Sequence, residues 1–257
     1  MNILGISAGF HDAAATVISP DGEILFAGHS ERYSKRKNDP DLHTHLLRDA
    51  YFCGLVGHTA YYERPWAKQA RQCYAGQGIE WHKITTRQIL EQQLGSVPRS
   101  YSSHNHHLSH AAGGFQTSPF ERATVVVIDA IGEWDTISIW GAEYDHKGVA
   151  RYTRLWRQVY PHSIGLFYSA VTSRIGLHPL DEEYITMGMA AWGRNTWYHD
   201  MREYVIADER DIQLRHNFHT GMSADFLVGA SNENIAAAAQ FVAEDLIRQV
   251  MILARNM

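Results

Sequence analysis

A chain of 257 residues, 45% hydrophobic and 20% charged, is long enough to bury a core and carries no compositional mark of disorder. Its formal charge of −5 excludes a global basic field for nucleic acid and leaves one local run, Arg32, Lys35, Arg36 and Lys37, as a basic patch or a solvated loop. No apolar run reaches membrane-spanning length, MNILGISAGF is not built like a signal peptide, and Cys53 and Cys73 fit free thiols, so a cytoplasmic protein is expected.

The first thirty residues predict three short strands, NILGIS, AAATVIS and EILFAGHS, the last two joined at a Pro20-Asp21-Gly22 turn. The loop between the first two carries His11 and Asp12 after Gly5 and Gly9. Glycines beside a strand end let backbone approach a phosphate or acyl group, and His11 can serve there as a general base. A histidine that packs against a neighbouring helix fits the same residues, and the spacing is neither a Walker A loop nor a Rossmann fingerprint. DLHTHLLRDAYFCGL and TTRQILEQQLG then show helical spacing, the second closed by Gly95 and Pro98.

SHNHHLSHAAGGF packs His104, His106, His107 and His110 into seven positions. On a helix, His106 and His110 share one face and can bind a single ion, although spacing alone does not separate zinc, iron, manganese and nickel. Asp129, at the end of the apolar run Val125–Ile128, is the natural third ligand, or else an aspartate capping its own turn. His104 and His107 read as solvated or supporting imidazoles.

ATVVVIDA, IGEWD, TISIWGAEY, DHKG and VARYTRLW repeat the opening pattern of strand, polar loop, strand, turn, strand. A repeat at this spacing predicts two related subdomains facing a cleft. SIGLFYSAVTSRIG follows as a helix capped by Ser163, with His162 beside the cap, where backbone N–H groups favour anions. DEEYITMGMAAWG is a smaller candidate for ligand contact, and NENIAAAAQFVAEDLIRQVMILARNM is a strong amphipathic helix.

Taken in order, GISAGFHDAAATVI, SERYSKRKND, HHLSHAAGGFQTSPF, VVVIDAIGEWDT, YPHSIGLFYSAVTSRIG, EYITMGMAAWG and IAAAAQFVAEDL resemble the O-carbamoyltransferase family of the tobramycin, cephamycin and nodulation-factor enzymes. The resemblance implies an α/β, actin-like fold of two related subdomains, 1–118 and 119–257, the second incomplete, with a C-terminal adenylating domain of YrdC type absent. It implies that His106, His110 and Asp129 hold a divalent metal, typically iron, with zinc or manganese as alternatives. His11 and Asp12 fall in the transfer site. Arg36, Lys37, Gly132, His162, Ser163 and Gly188 match the substrate and nucleotide cleft. One departure lies beside the metal, where the family usually has Asp-Gly and this chain has Asp129-Ala130.

The implied reaction uses carbamoyl phosphate and ATP as co-substrates to form carbamoyl adenylate, and then transfers the carbamoyl group to an acceptor hydroxyl. That acceptor is a sugar, another small molecule or a hydroxymethylated DNA base. A second polypeptide is expected to complete the fold and supply the adenylating domain, with no membrane involved. Two other readings stay open: a non-catalytic, metal-stabilised binding module, and threonylcarbamoyl transfer to tRNA, which the HDAAATVISPDG and YPHSIGLFYSAVT stretches disfavour.

Overall fold

The structure is a computed structural model that describes residues 1–208 and 212–257. It divides into two compact units, Met1–Ser109 and His110–Met257.

In the first unit, β1 (Asn2–Ser7), β2 (Ala14–Ile18) and β3 (Ile24–His29) form an antiparallel meander. α1 (Ser30–Ser34) and α2 (Thr44–Phe52) lead to β4 (Val56–Tyr61), which pairs with β1 in parallel. α3 (Pro65–Tyr74) and α4 (Thr86–Leu94) then lead to β5 (Tyr101–Ser103), parallel to β4, completing the order β3-β2-β1-β4-β5. Strand alternation decides which face is buried. Leu4 lies opposite Val17 and Ile6 opposite Ala15, and all four are buried, whereas Ile3 on the other face is exposed. Leu46 and Ala50 of α2, with Ile89 and Leu90 of α4, close that core. Helix ends follow local chemistry: Pro65 opens α3, Thr85 and Gln88 form a capping box on α4, and Gly95 ends it at positive φ. α5 (His106–Gln116) begins at the end of this unit.

In the second unit, β6 (Arg122–Gly132), β7 (Asp135–Tyr144) and β8 (Ala150–Val159) repeat the meander, with β7 central and buried from Asp135 to Trp140. α6 (Ile164–Arg174), α7 (Glu183–Ala190) and α8 (Tyr198–Val205) follow, then the short pair β9 (Ile206–Asp208) and β10 (Gln213–Leu214). The long α9 (Asn232–Arg255), capped by Ser231, packs its buried run Ile235–Ala239 and Val242, Leu246 and Val250 against α6, α7, α8 and β6.

The fold is therefore α/β, with a mixed sheet in the first unit and the predicted meander in both. One detail differs from the sequence reading. IGEWD is not an open polar loop: β6 continues to Gly132, which pairs with Asp135 across a two-residue turn where Glu133 adopts φ 59°. Among the described residues, no helix is long and apolar enough to cross a membrane.

Candidate metal centre

α5 starts where Asn105 accepts a hydrogen bond from the Leu108 N–H through its Oδ1, serving one of the donors a helix start leaves open. The Ser109 hydroxyl donates to the carbonyl of Tyr62 and ties the first turn to the end of β4. The helix runs through Gly113 and Gly114 to Gln116, so His106 and His110 stand one turn apart.

Asp129 reaches them from a break in the β6 ladder. Ile128 pairs with Ile137 and Gly132 with Asp135, so Asp129, Ala130 and Ile131 all face the single residue Thr136. Such an interruption bends a strand and re-aims its side chains. The sequence placed Asp129 at the strand's end; the structure places it three residues earlier, half-buried within this bulge. α6 sets the bulge in place. The Ser163 hydroxyl accepts from the Leu166 N–H as helix cap and donates to the Ala130 carbonyl at 2.7 Å. A Cβ on Gly165 would lie 2.8 Å from the Ala130 Cα, an approach only glycine permits.

The result is convergence. One ligand atom from each of His106, His110 and Asp129 lies within 4.8 Å of the others. Two imidazoles and a carboxylate suit a divalent transition metal, and three protein ligands leave coordination positions for a substrate.

A fourth residue, unmarked in the sequence reading, supports the set. Glu63 follows β4 and is 1% exposed. Its Oε2 accepts from the His106 Nδ1 at 3.2 Å, and its Oε1 lies 3.2 Å from the Lys68 Nζ. A carboxylate on Nδ1–H fixes the tautomer whose Nε2 carries the lone pair a metal needs. Burial pushes the Glu63 carboxyl up, but the His106 hydrogen bond and the Lys68 charge outweigh it and hold the group below the ordinary carboxylate range. The Tyr62 ring meets His106 edge-on at 5.2 Å, and burial, with the Glu63 charge beside it, pushes its phenol well up. No sequence spacing signals Glu63; it matters because β4 delivers it beside α5.

The remaining predicted residues fall as follows. His11 and Asp12 sit on the β1–β2 loop, hydrogen-bonded to each other at 3.1 Å and exposed, with Asp12 at φ 46°. Their loop is tied to the basic segment by hydrogen bonds from the Gly9 N–H to the Pro40 carbonyl and from the Ala13 N–H to the Asp39 carbonyl. Arg36 and Lys37 are exposed there, Lys37 near Glu31 at 3.7 Å. Gly132 is buried at the β6–β7 turn. The His162 Nδ1 accepts from the Leu214 N–H, and Ser163 is occupied as described. Gly188 lies exposed within α7, with open space where a Cβ would stand. His104 is exposed and bonded to Ser102, whereas His107 is fully buried and so not a solvated imidazole.

The carbamoyltransferase N-terminus family matches residues 80–256, which include both histidines and Asp129, and the chain belongs to that family. An uncharacterized Synechocystis protein is 31% identical over 86% of this chain and 39% of its own length. The nodulation protein NolNO of Sinorhizobium fredii is 26% identical over 79% of this chain and 31% of its own length. An uncharacterized protein of Methanocaldococcus jannaschii is 30% identical over 65% of this chain and 30% of its own length. The chain thus spans well under half the length of the curated relatives it matches. Among solved structures, the ADPNP-bound activator of the 2-hydroxyisocaproyl-CoA dehydratase from Clostridium difficile is 13% identical, with a TM-score of 0.45 over 98% of this chain and 76% of that one.

Proposed function

We propose that this chain is the transfer part of an O-carbamoyltransferase, moving a carbamoyl group from carbamoyl adenylate to an acceptor hydroxyl. The observation that carries the reading is the His106, His110 and Asp129 convergence within 4.8 Å in a chain of the carbamoyltransferase N-terminal family.

The three residues would hold a divalent ion, iron first, with zinc or manganese as alternatives. Bound there, the ion would supply Lewis-acid polarisation of a carbonyl oxygen. The chain's own residues do the rest. His11, with Nδ1–H held by Asp12, presents Nε2 as the base that takes the acceptor's proton. The acceptor oxygen then bonds to the carbamoyl carbon, the bond from that carbon to the adenylate oxygen breaks, and AMP leaves. Arg36 and Lys37, on the segment hydrogen-bonded to the His11 loop, offer positive charge for a phosphate. Carbamoyl adenylate would be made from carbamoyl phosphate and ATP by a further domain, on the same chain or on a second polypeptide.

Metal analysis of the purified chain tests the reading, alone and with such a polypeptide. One equivalent of metal, lost in His106→Ala and in His110→Ala variants that keep the wild-type circular dichroism, is the expected result. Absence of metal under both conditions would overturn it. Metal retention without carbamate formation, once the completing polypeptide is present, would instead favour a metal-stabilised binding module.

A further inference from the structure

We infer that Lys68 is a positioning residue that couples the His11 loop to the ligand His106, an inference that rests on reading the triad as a metal centre. Its ammonium lies 3.2 Å from Glu63 Oε1, whose other oxygen holds His106 Nδ1 at 3.2 Å. The same ammonium lies 3.3 Å from the centroid of the Phe10 ring, and Phe10 directly precedes His11. A second cation, Lys83, lies 5.2 Å from that ring while paired to Glu80.

The two contacts act on different parts of the proposed site. Lys68 fixes one carboxylate oxygen of Glu63, so the other stays aimed at His106 and the imidazole cannot turn away from it. A carboxylate behind a ligating histidine typically changes metal affinity by about 10- to 100-fold. On its other side Lys68 draws the Phe10 ring inward through cation–π attraction. That anchors the loop at a residue whose neighbour, His11, is itself exposed. Lys68, with its side chain 12% exposed, is well placed for both contacts, since neither is weakened by full hydration.

The coupling predicts an effect that neither contact alone would give. Phe10 belongs to the His11 loop rather than to the ligand set, yet Phe10→Leu should weaken metal binding about threefold, through Lys68. Lys68→Met, which keeps the stem and removes the charge, should weaken it about tenfold, and Lys68→Arg should restore most of the loss. In the Lys68→Met background, Phe10→Leu should have no further effect. Affinities are read by chelator competition with Fe(II) and with Zn(II) on the 257-residue chain, after circular dichroism establishes that each variant is folded. Unchanged affinity in Lys68→Met, or effects of the two substitutions that simply add, would overturn the coupling.

A metal-free readout separates this inference from the reading it rests on. In the apo chain, imidazole nitrogen-15 shifts should show His106 as the Nδ1–H tautomer, and Lys68→Met should move the resonances of both His106 and His11. If the wild-type chain binds no metal while both resonances move, the metal reading fails and the coupling stands. If His106 is the Nε2–H tautomer, or the His11 resonances stay fixed, the coupling fails.

Discussion

Gly165 and Ser163 decide where Asp129 stands, and both can be tested by one atom. Gly165→Ala would put a Cβ 2.8 Å from the Ala130 Cα and 2.9 Å from its nitrogen, backbone atoms that cannot swing aside. Overpacking of this kind costs about 1–3 kcal/mol. Urea unfolding should show that loss, and metal affinity should fall with it as the bulge moves. Gly113→Ala is the contrasting case: it sits inside α5 with nothing within 4 Å of the added carbon. It should stabilise the protein by about 0.5–1 kcal/mol, because alanine is the better helix former. A destabilised Gly113→Ala variant would contradict that account of α5. His106 and His110 were legible because their four-residue spacing states its own geometry. Glu63 was not, since its role depends on a contact 43 residues away in the chain.

The elements were legible where the signal is local. Short apolar runs and the Pro20-Asp21-Gly22 turn marked β1 to β3, and Ser163 marked a helix start that the structure shows. What escaped was set by packing between elements. Asp129 was read as a strand end because the bulge behind it depends on α6, and no residue in VVVIDAIG announces that helix. Gly193, the last residue of EYITMGMAAWG, is explained the same way: a Cβ there would overlap the Glu233 carbonyl of α9. At this scale the basic segment makes a pH prediction. The Ser34 hydroxyl, the Asp41 N–H and the charges of Arg36 and His43 together hold the Asp39 carboxyl below its ordinary range, against the effect of burial. A depressed carboxylate contributes stability above its unfolded pKa, about 3.9, and loses it as pH falls through the folded value. Thermal melts from pH 5 downward should therefore show a loss below about pH 4 that is smaller in Asp39→Asn. An equal acid response in both proteins would remove Asp39 from the account.

For the whole molecule, the two sheets differ in one respect. β1 is flanked by β2 on one side and by the parallel β4 on the other, whereas β6, its counterpart in the repeat, is paired only with β7 among the described residues. A strand edge of this kind presents unpaired N–H and C=O groups and is a ready template for another strand. The family relatives run to more than twice the length matched here, with 30–39% of each covered. A completing polypeptide would place a strand on β6 as β4 lies on β1, which makes the state of that edge measurable. In the isolated chain, every second amide from Val125 to Ile128 should exchange rapidly with solvent while its neighbours, bonded to β7, are protected. Supplying the unmatched remainder of the Synechocystis relative as a separate polypeptide should protect the exposed set. It should also bring carbamate formation from carbamoyl phosphate and ATP, which the chain alone should not support. Uniform protection along β6 in the monomeric isolated chain would mean that its edge is already covered. Carbamate formed by the chain alone would mean that transfer needs no partner, and either result would overturn the proposal of a completing polypeptide.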